Sequence, residues 1–144
     1  MRVDVEVDVP AEVLWGAVVD WDRQSQWMLA TTVRATSQDG TGLGAQIEAF
    51  TGLGPMGVTD TMVIVEWEPP WRCVVRHTGR VVRGTGVFEV FALPSGRSRL
   101  VWSEEIDLPL GRLGRIGWPV AKVVMVAAVR ASLAKLARSV EADG

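Results

Sequence analysis

From Arg2 to Val9 the chain alternates, with Val3, Val5, Val7 and Val9 on one side and Arg2, Asp4, Glu6 and Asp8 on the other. A period of two predicts a half-buried strand over residues 2–9. Pro10 closes that strand and sits where a helix can begin, with Asp8 nearby as a cap. Over residues 11–19 the spacing predicts a helix with Val13, Leu14, Ala17 and Val18 on one face. Asp20-Trp21-Asp22 breaks it and leads into a second short helix over 22–28. Strands are predicted at 32–38 and 44–50, around the turn Gln38-Asp39-Gly40-Thr41-Gly42. A strand over 59–67 and its partner over 71–78 are joined by Glu68-Pro69-Pro70. A second hairpin pairs 82–92 with 98–108 around Pro94-Ser95-Gly96. The glycine-rich residues 52–57 read as a flexible loop, a flap beside a pocket. The run from Pro119 carries no turn signal and predicts a helix to about Val140. Pro119 belongs either in its first turn or at a kink in a longer helix starting near Leu113.

Parity assigns faces to these strands. One face of the 59–78 hairpin carries Met62, Ile64, Cys73, Val75 and His77. One face of the 82–108 hairpin carries Gly84, Gly86, Phe88, Val90, Leu100, Trp102, Glu104 and Ile106. The opposite face of the latter, with Thr85, Glu89, Arg99 and Ser103, suits water, so the first set faces inward. A slip of one residue reverses any such assignment. At 100° per residue, Met125, Val129, Ser132, Leu133, Leu136 and Val140 share one face of the last helix, and Trp118 and Lys122 extend it backward. Such a helix needs a sheet to cover its apolar stripe. A strongly curved sheet wrapped around it leaves a cavity.

The 144 residues suit one domain spanning 1–144, and 48% hydrophobic composition supplies its core. No linker, repeat or low-complexity segment divides it. A net charge of −2 gives no basic field for nucleic acid. Cys73 is the single cysteine, which fits a reducing cytoplasm. Met1-Arg2 runs straight into a charged strand, so no signal peptide is expected. The longest apolar stretch, Val123 to Val129, is far short of the roughly 20 residues that span a bilayer, so no integral membrane segment is expected. The expected location is cytoplasmic.

Glu104 is the first chemical candidate. A carboxylate beside Trp102 and Ile106 on an inward face is desolvated, which raises its pKa and suits a general acid or base. His77, the only histidine, also faces inward near the cavity mouth and titrates near neutral pH. The two form an acid/base pair if they face each other. Asp60 shares parity with Met62 and falls near the same rim. Arg83, Arg112, Arg115 and Lys122 add cations that suit an anionic ligand head, or are simply solvated. Of the seven tryptophans, Trp15, Trp21 and Trp27 are expected to seal the short helices onto the sheet. Trp102 and Trp118 suit the pocket wall, with Phe88, Met62 and Met125. Gly40-Thr41-Gly42-Leu43-Gly44 joins two strands and is no phosphate cradle. One His and one Cys cannot build an ordinary zinc site, so no metal is expected. No cofactor is expected either. Cys73 reads as an inert core thiol.

Several segments taken together carry a family likeness: Pro10-Ala11-Glu12-Val13-Leu14-Trp15 after the opening strand, Asp20-Trp21, Trp27, Gly42-Leu43-Gly44, and Val65-Glu66-Trp67-Glu68-Pro69-Pro70-Trp71-Arg72. Gly84-Thr85-Gly86 with Phe88, and Trp102-Ser103-Glu104-Glu105, complete the set. On these residues, over almost its whole length, the chain resembles the START/polyketide-cyclase (SRPBCC) superfamily. The resemblance implies an α+β helix-grip fold: six or seven antiparallel strands curved around a long C-terminal helix, with two short helices after the first strand. It implies an internal apolar pocket but no single reaction. Three functions stay open. The first is binding of a lipid, isoprenoid or polyketide-like aromatic by Met62, Ile64, Val75, Phe88, Trp102, Trp118, Lys122, Met125 and Val129. The second is a cyclase/dehydratase in which His77 and Glu104 move protons. The third is a protein-interaction module that uses the outer sheet face. A monomer or a homodimer suits any of them.

Overall fold

The computed structural model describes residues 1–107 and 111–143, the side chains of 111–115 excepted. Strand β1 (Arg2–Val7) is followed by helix α1 (Ala11–Val18) and a 3-10 turn over Trp21–Gln26. Then come β2 (Thr31–Ala35), β3 (Gln46–Leu53), β4 (Met56–Glu68), β5 (Arg72–Thr78), β6 (Arg83–Ala92) and β7 (Ser98–Asp107). Helix α2 (Gly111–Asp143) closes the chain. The seven strands form one antiparallel sheet in the order β1-β7-β6-β5-β4-β3-β2. From β2 onward every strand pairs with its successor in sequence. Only the step from β1 to β2 crosses the sheet, and α1 with its 3-10 turn makes that crossing.

No side chain caps α1. The Pro10 carbonyl accepts from the amides of Val13 and Leu14, both at 3.1 Å, while the Asp8 amide donates to Glu141 Oε1 at 3.0 Å. Ala11, Leu14, Trp15 and Val18 are its buried residues, and Val13 turns to solvent, contrary to the face expected for it. The second short helix is one of 3-10 type. Gln24 Nε2 donates to the Val18 carbonyl at 2.7 Å and Trp21 Nε1 to the Gly40 carbonyl at 2.7 Å, which ties the crossing to itself and to the β2–β3 connection.

Residues 52–57 are not a loop. Gly52 faces Gly57 and Leu53 faces Met56, so β3 and β4 run on to a tight turn at Gly54-Pro55. The glycines serve contact there: a Cβ on Gly57 would stand 2.5 Å from Phe50 Cζ. Strand β4 also carries a bulge. Ile64 pairs with Val75, but Glu66 pairs with Val74 and Trp67 with Cys73, leaving Val65 as the extra residue. The bulge returns Trp67 to the core side, where its ring lies 5.3 Å from that of Trp15.

The two halves of α2 differ. Val129, Ser132, Leu133, Leu136, Ala137 and Val140 are buried against the sheet and α1. Ile116, Val120, Val123 and Val124 are exposed. Pro119 lies inside the helix, not in its first turn.

Candidate functional site

Between the first half of α2 and the concave face of the sheet lies a cavity of about 560 Å³. Val33, Ala49, Met62, Val75, Phe88, Trp102 and Ile106 form its sheet wall. Ala121, Val124, Met125, Ala128, Val129 and Ser132 of α2 form the facing wall, and Trp21, Gln24, Met28 and Leu29 close the side under the crossing. The apolar wall follows from alternation in the strands: alternate residues turn to the concave face, which can therefore be largely apolar.

Three ionisable side chains interrupt this wall, and they touch. His77 Nδ1 lies 2.6 Å from Asp60 Oδ2, and His77 Nε2 lies 3.0 Å from Glu104 Oε2. Trp102 Nε1 donates to the other Glu104 oxygen, Oε1, at 2.9 Å. Strand register brings Asp60 near His77, since Met62 is the partner of His77 across β4 and β5. Glu104 stands on β7, two strands away from His77, with β6 between them. Two strand spacings amount to about 9.6 Å, and the side chains span this because β6 offers glycine there. Gly84 pairs with His77 and Gly86 with Glu104. A Cβ on Gly86 would stand 2.8 Å from Glu104 Oε1 and 3.0 Å from Val75 Cγ2. Gly84, at φ +120°, adopts a backbone conformation that L side chains avoid.

Burial by itself would lower the His77 pKa. The hydrogen bonds to Asp60 and Glu104, with the charges of both carboxylates, outweigh burial and hold it up at about 9. His77 is therefore an imidazolium at neutral pH, and each ring N–H donates to a carboxylate. Cys73, by contrast, has no such support. Burial pushes its thiol up to about 12, so it is no nucleophile at neutral pH.

The structure brings His77, Glu104, Met62, Val75, Phe88, Trp102, Met125 and Val129 to this one cavity. Ile64 does not line it; it is fully buried in the core. Trp118 and Lys122 also lie off it. They border a neighbouring groove of about 440 Å³ with Gly84, Glu105 and Asp107, where Trp118 is half-buried and Lys122 exposed. The wheel that placed both inward holds for the second half of α2, whereas its first half stands clear of the sheet. Arg83 is exposed and lines neither space. The side chains of Arg112 and Arg115 lie outside the described residues. Among the described lining residues of the cavity there is neither Lys nor Arg, but Met1 lines it and its α-ammonium donates to the Glu104 carbonyl at 2.9 Å. Among the described residues no group of three or more His, Cys, Asp or Glu is arranged to hold a metal ion.

Sequence reasoning places Asp60 at the rim and misses that it completes the charged group. The signal is its parity with Met62, one register step from the partner of His77. The same reasoning takes Trp102 as apolar wall only, although its indole N–H fixes Glu104.

A family model described as polyketide cyclase / dehydrase and lipid transport matches residues 1–141. No curated protein sequence matches the chain. Among solved structures, a Thermus thermophilus protein, TTHA0849, superposes with a TM-score of 0.79 at 16% identity, covering 100% of this chain and 98% of that one. The Zhui aromatase/cyclase from Streptomyces sp. R1128 gives a TM-score of 0.79 at 18% identity, covering 98% of this chain and 92% of that one. The Aha1 dimer from Colwellia psychrerythraea gives 0.69 at 10% identity, with 98% of this chain and 95% of that one covered. At these identities the likeness is one of fold.

Proposed function

Because the chain belongs to the polyketide cyclase/dehydrase and lipid transport family, we propose that it binds a small, largely apolar molecule between its sheet and α2. The observation that carries this reading is the cavity of about 560 Å³, apolar on nearly all sides and polar where Asp60, His77 and Glu104 meet. Its volume lies within the roughly 300–1,000 Å³ usual for small-molecule sites. The wall supplies affinity by excluding water, and the charged group orients one polar atom of the ligand. Native mass spectrometry of the purified protein, followed by extraction into organic solvent, tests this. A bound apolar compound, or uptake of one from a panel of lipids and aromatics, is expected. A protein that emerges empty and ignores the whole panel overturns the reading and favours an interaction module.

One observation favours a second reading, catalysis of ring closure in the same cavity. Asp60 Oδ1 is buried and has no hydrogen-bond partner, while His77 anchors the other oxygen of that carboxylate. In this reading Asp60, once a side-chain shift opens Oδ1 to the cavity, removes a proton from the carbon beside a ketone. That carbon bonds to a second carbonyl carbon, whose oxygen takes the proton back. His77 and Glu104 hold the base in place, since their own polar atoms are already engaged. General-base removal costs about a hundredfold or more in rate. Asp60→Asn then loses turnover and keeps apolar binding, whereas a pure binding protein shows no turnover in either form.

A further inference from the structure

The face of α2 turned away from the sheet changes character along the helix. Over the second half it is charged, with Arg130, Arg138 and Glu141 exposed. Over the first half the same face is apolar. Ile116, Val120, Val123 and Ala127 recur at the spacing of one helical stripe, opposite Met125 and Val129, and the first three are 77%, 68% and 69% exposed. Two more apolar segments stand exposed around the same opening. Leu53 and Met56, both 80% exposed, form the end of β3 and β4, and Val81 is exposed in the β5–β6 connection. Their neighbours Val58 and Val82 line the cavity together with Val124 of α2, so all three segments border it. Apolar side chains so exposed and so grouped mark a surface that another body covers.

Charge says what that body is. Residues 52–58, 79–83 and 111–130 contain six Lys or Arg, among them Arg80, Arg83, Lys122 and Arg130, and no Asp or Glu, in a chain whose net charge is −2. Glu105 and Asp107 border the neighbouring groove with Lys122, but neither belongs to the three segments. Going beyond the binding reading, we propose that these segments form a docking face for an anionic lipid bilayer, with the outward stripe of α2 among the headgroups and the cavity opening toward them. The apolar side chains enter the boundary between headgroups and acyl chains, and the cations meet the negative surface potential. The contact is interfacial: among the described residues no helix is long and apolar enough to cross a membrane. A second copy of the chain fits worse, because a twofold contact sets the same cations against themselves. A fluid surface also conforms to three separate segments around an opening, whereas a protein partner must match all three.

Co-sedimentation with vesicles at physiological salt tests this on the intact protein. Vesicles of phosphatidylcholine and phosphatidylglycerol in equal parts should carry the protein down, and vesicles of phosphatidylcholine alone should bind it about tenfold or more weaker. Raising the salt should weaken binding to the mixed vesicles. The double variant Ile116→Asn, Val123→Asn should bind those vesicles about tenfold or more weaker than the wild-type protein, since two apolar side chains no longer enter the boundary. Ala131→Asn, exposed on the second half of α2, should bind as the wild-type protein does. All three positions are exposed, so circular dichroism should show both variants folded, and the comparison of the two vesicles needs no variant. No sedimentation with either vesicle overturns the docking face. Undiminished binding by the double variant overturns it too, because charge alone then suffices. A dimeric wild-type protein beside a monomeric double variant, by sedimentation velocity, assigns the stripe to a second copy and overturns it likewise. None of these outcomes touches the binding reading, which uptake of the compound panel decides separately.

Discussion

His77 stores part of the fold's stability in its proton. Its side chain is only 6% exposed and its pKa stands at about 9 against an ordinary 6.5. Between those values the folded protein keeps a proton that the unfolded chain has lost, so stability must fall as pH rises. The contribution is complete below about pH 6.5 and gone once pH passes about 9. A displacement of this size corresponds to on the order of 3 kcal/mol. Urea unfolding at about pH 6.5 and about pH 9.5 should show a loss of that order in the wild-type protein. His77→Gln should lack it and be the less stable of the two at the lower pH, because two carboxylates then lose the cation between them. A fall as large in His77→Gln would place the titrating group elsewhere. Cys73, its thiol pushed up from 9.0 to about 12, also lowers stability as pH rises past 9, but it is present in both proteins and cancels when their losses are compared. That His77 and Glu104 face inward was legible in their parity with Val75 and Trp102. That they touch was not, because contact across two strands depends on the absent side chain of Gly86, where a Cβ would stand 2.8 Å from Glu104 Oε1. A sequence shows the glycine and not what it separates.

Alternation is readable only where the two faces of a strand differ. In β6 and β7 one face is apolar and the other carries Thr85, Glu89, Arg99 and Ser103, and the register agrees with that pattern. In β4, Val63 and Val65 make the second face apolar too, so nothing in the pattern marks the bulge at Val65 that turns Trp67 inward. Gly52 to Gly57 read as a loop because glycine is the residue of loops, whereas here close packing of strand against strand and of Phe50 against Gly57 is what requires it. Helix α2 was legible as an element but not in its division of labour. Its amphipathic stripe runs the whole length, yet only the second half reaches the core. Leu133, 1% exposed, anchors that half, and Val123, 69% exposed, stands over the open half. Leu133→Ala should cost about 2–5 kcal/mol through its cavity and lost burial. Val123→Ala should change stability by no more than about 0.5 kcal/mol. Urea midpoints of the two variants check this, and a large loss in Val123→Ala would mean that the first half of the helix packs more tightly than the structure has it.

At the scale of the molecule the cavity is what remains when a curved sheet and a long helix meet along only part of their length. The sequence announces both partners, and hence the fold, through its order of strands, short helices and long helix. It cannot announce the space, because volume depends on the angle at which α2 leaves the sheet. The same half-docked arrangement couples ligand to fold. The second half of α2 and α1 hold the sheet shut at one end. The first half, with Val124, Met125 and Ala128, closes over whatever occupies the other. A ligand that binds only the folded state adds stability of about 2.7 kcal/mol at a hundred times its Kd. For a chain of this size that raises Tm by about 5–10 °C. Ala128 lines the cavity from α2, so Ala128→Trp sends an indole into the space the ligand needs. Thermal melts with an apolar compound taken up from the panel, at a hundred times its Kd, should show the rise in the wild-type protein and none in Ala128→Trp. Equal rises in both would put the ligand elsewhere on the surface, and the cavity between sheet and helix would then be packing space rather than a site.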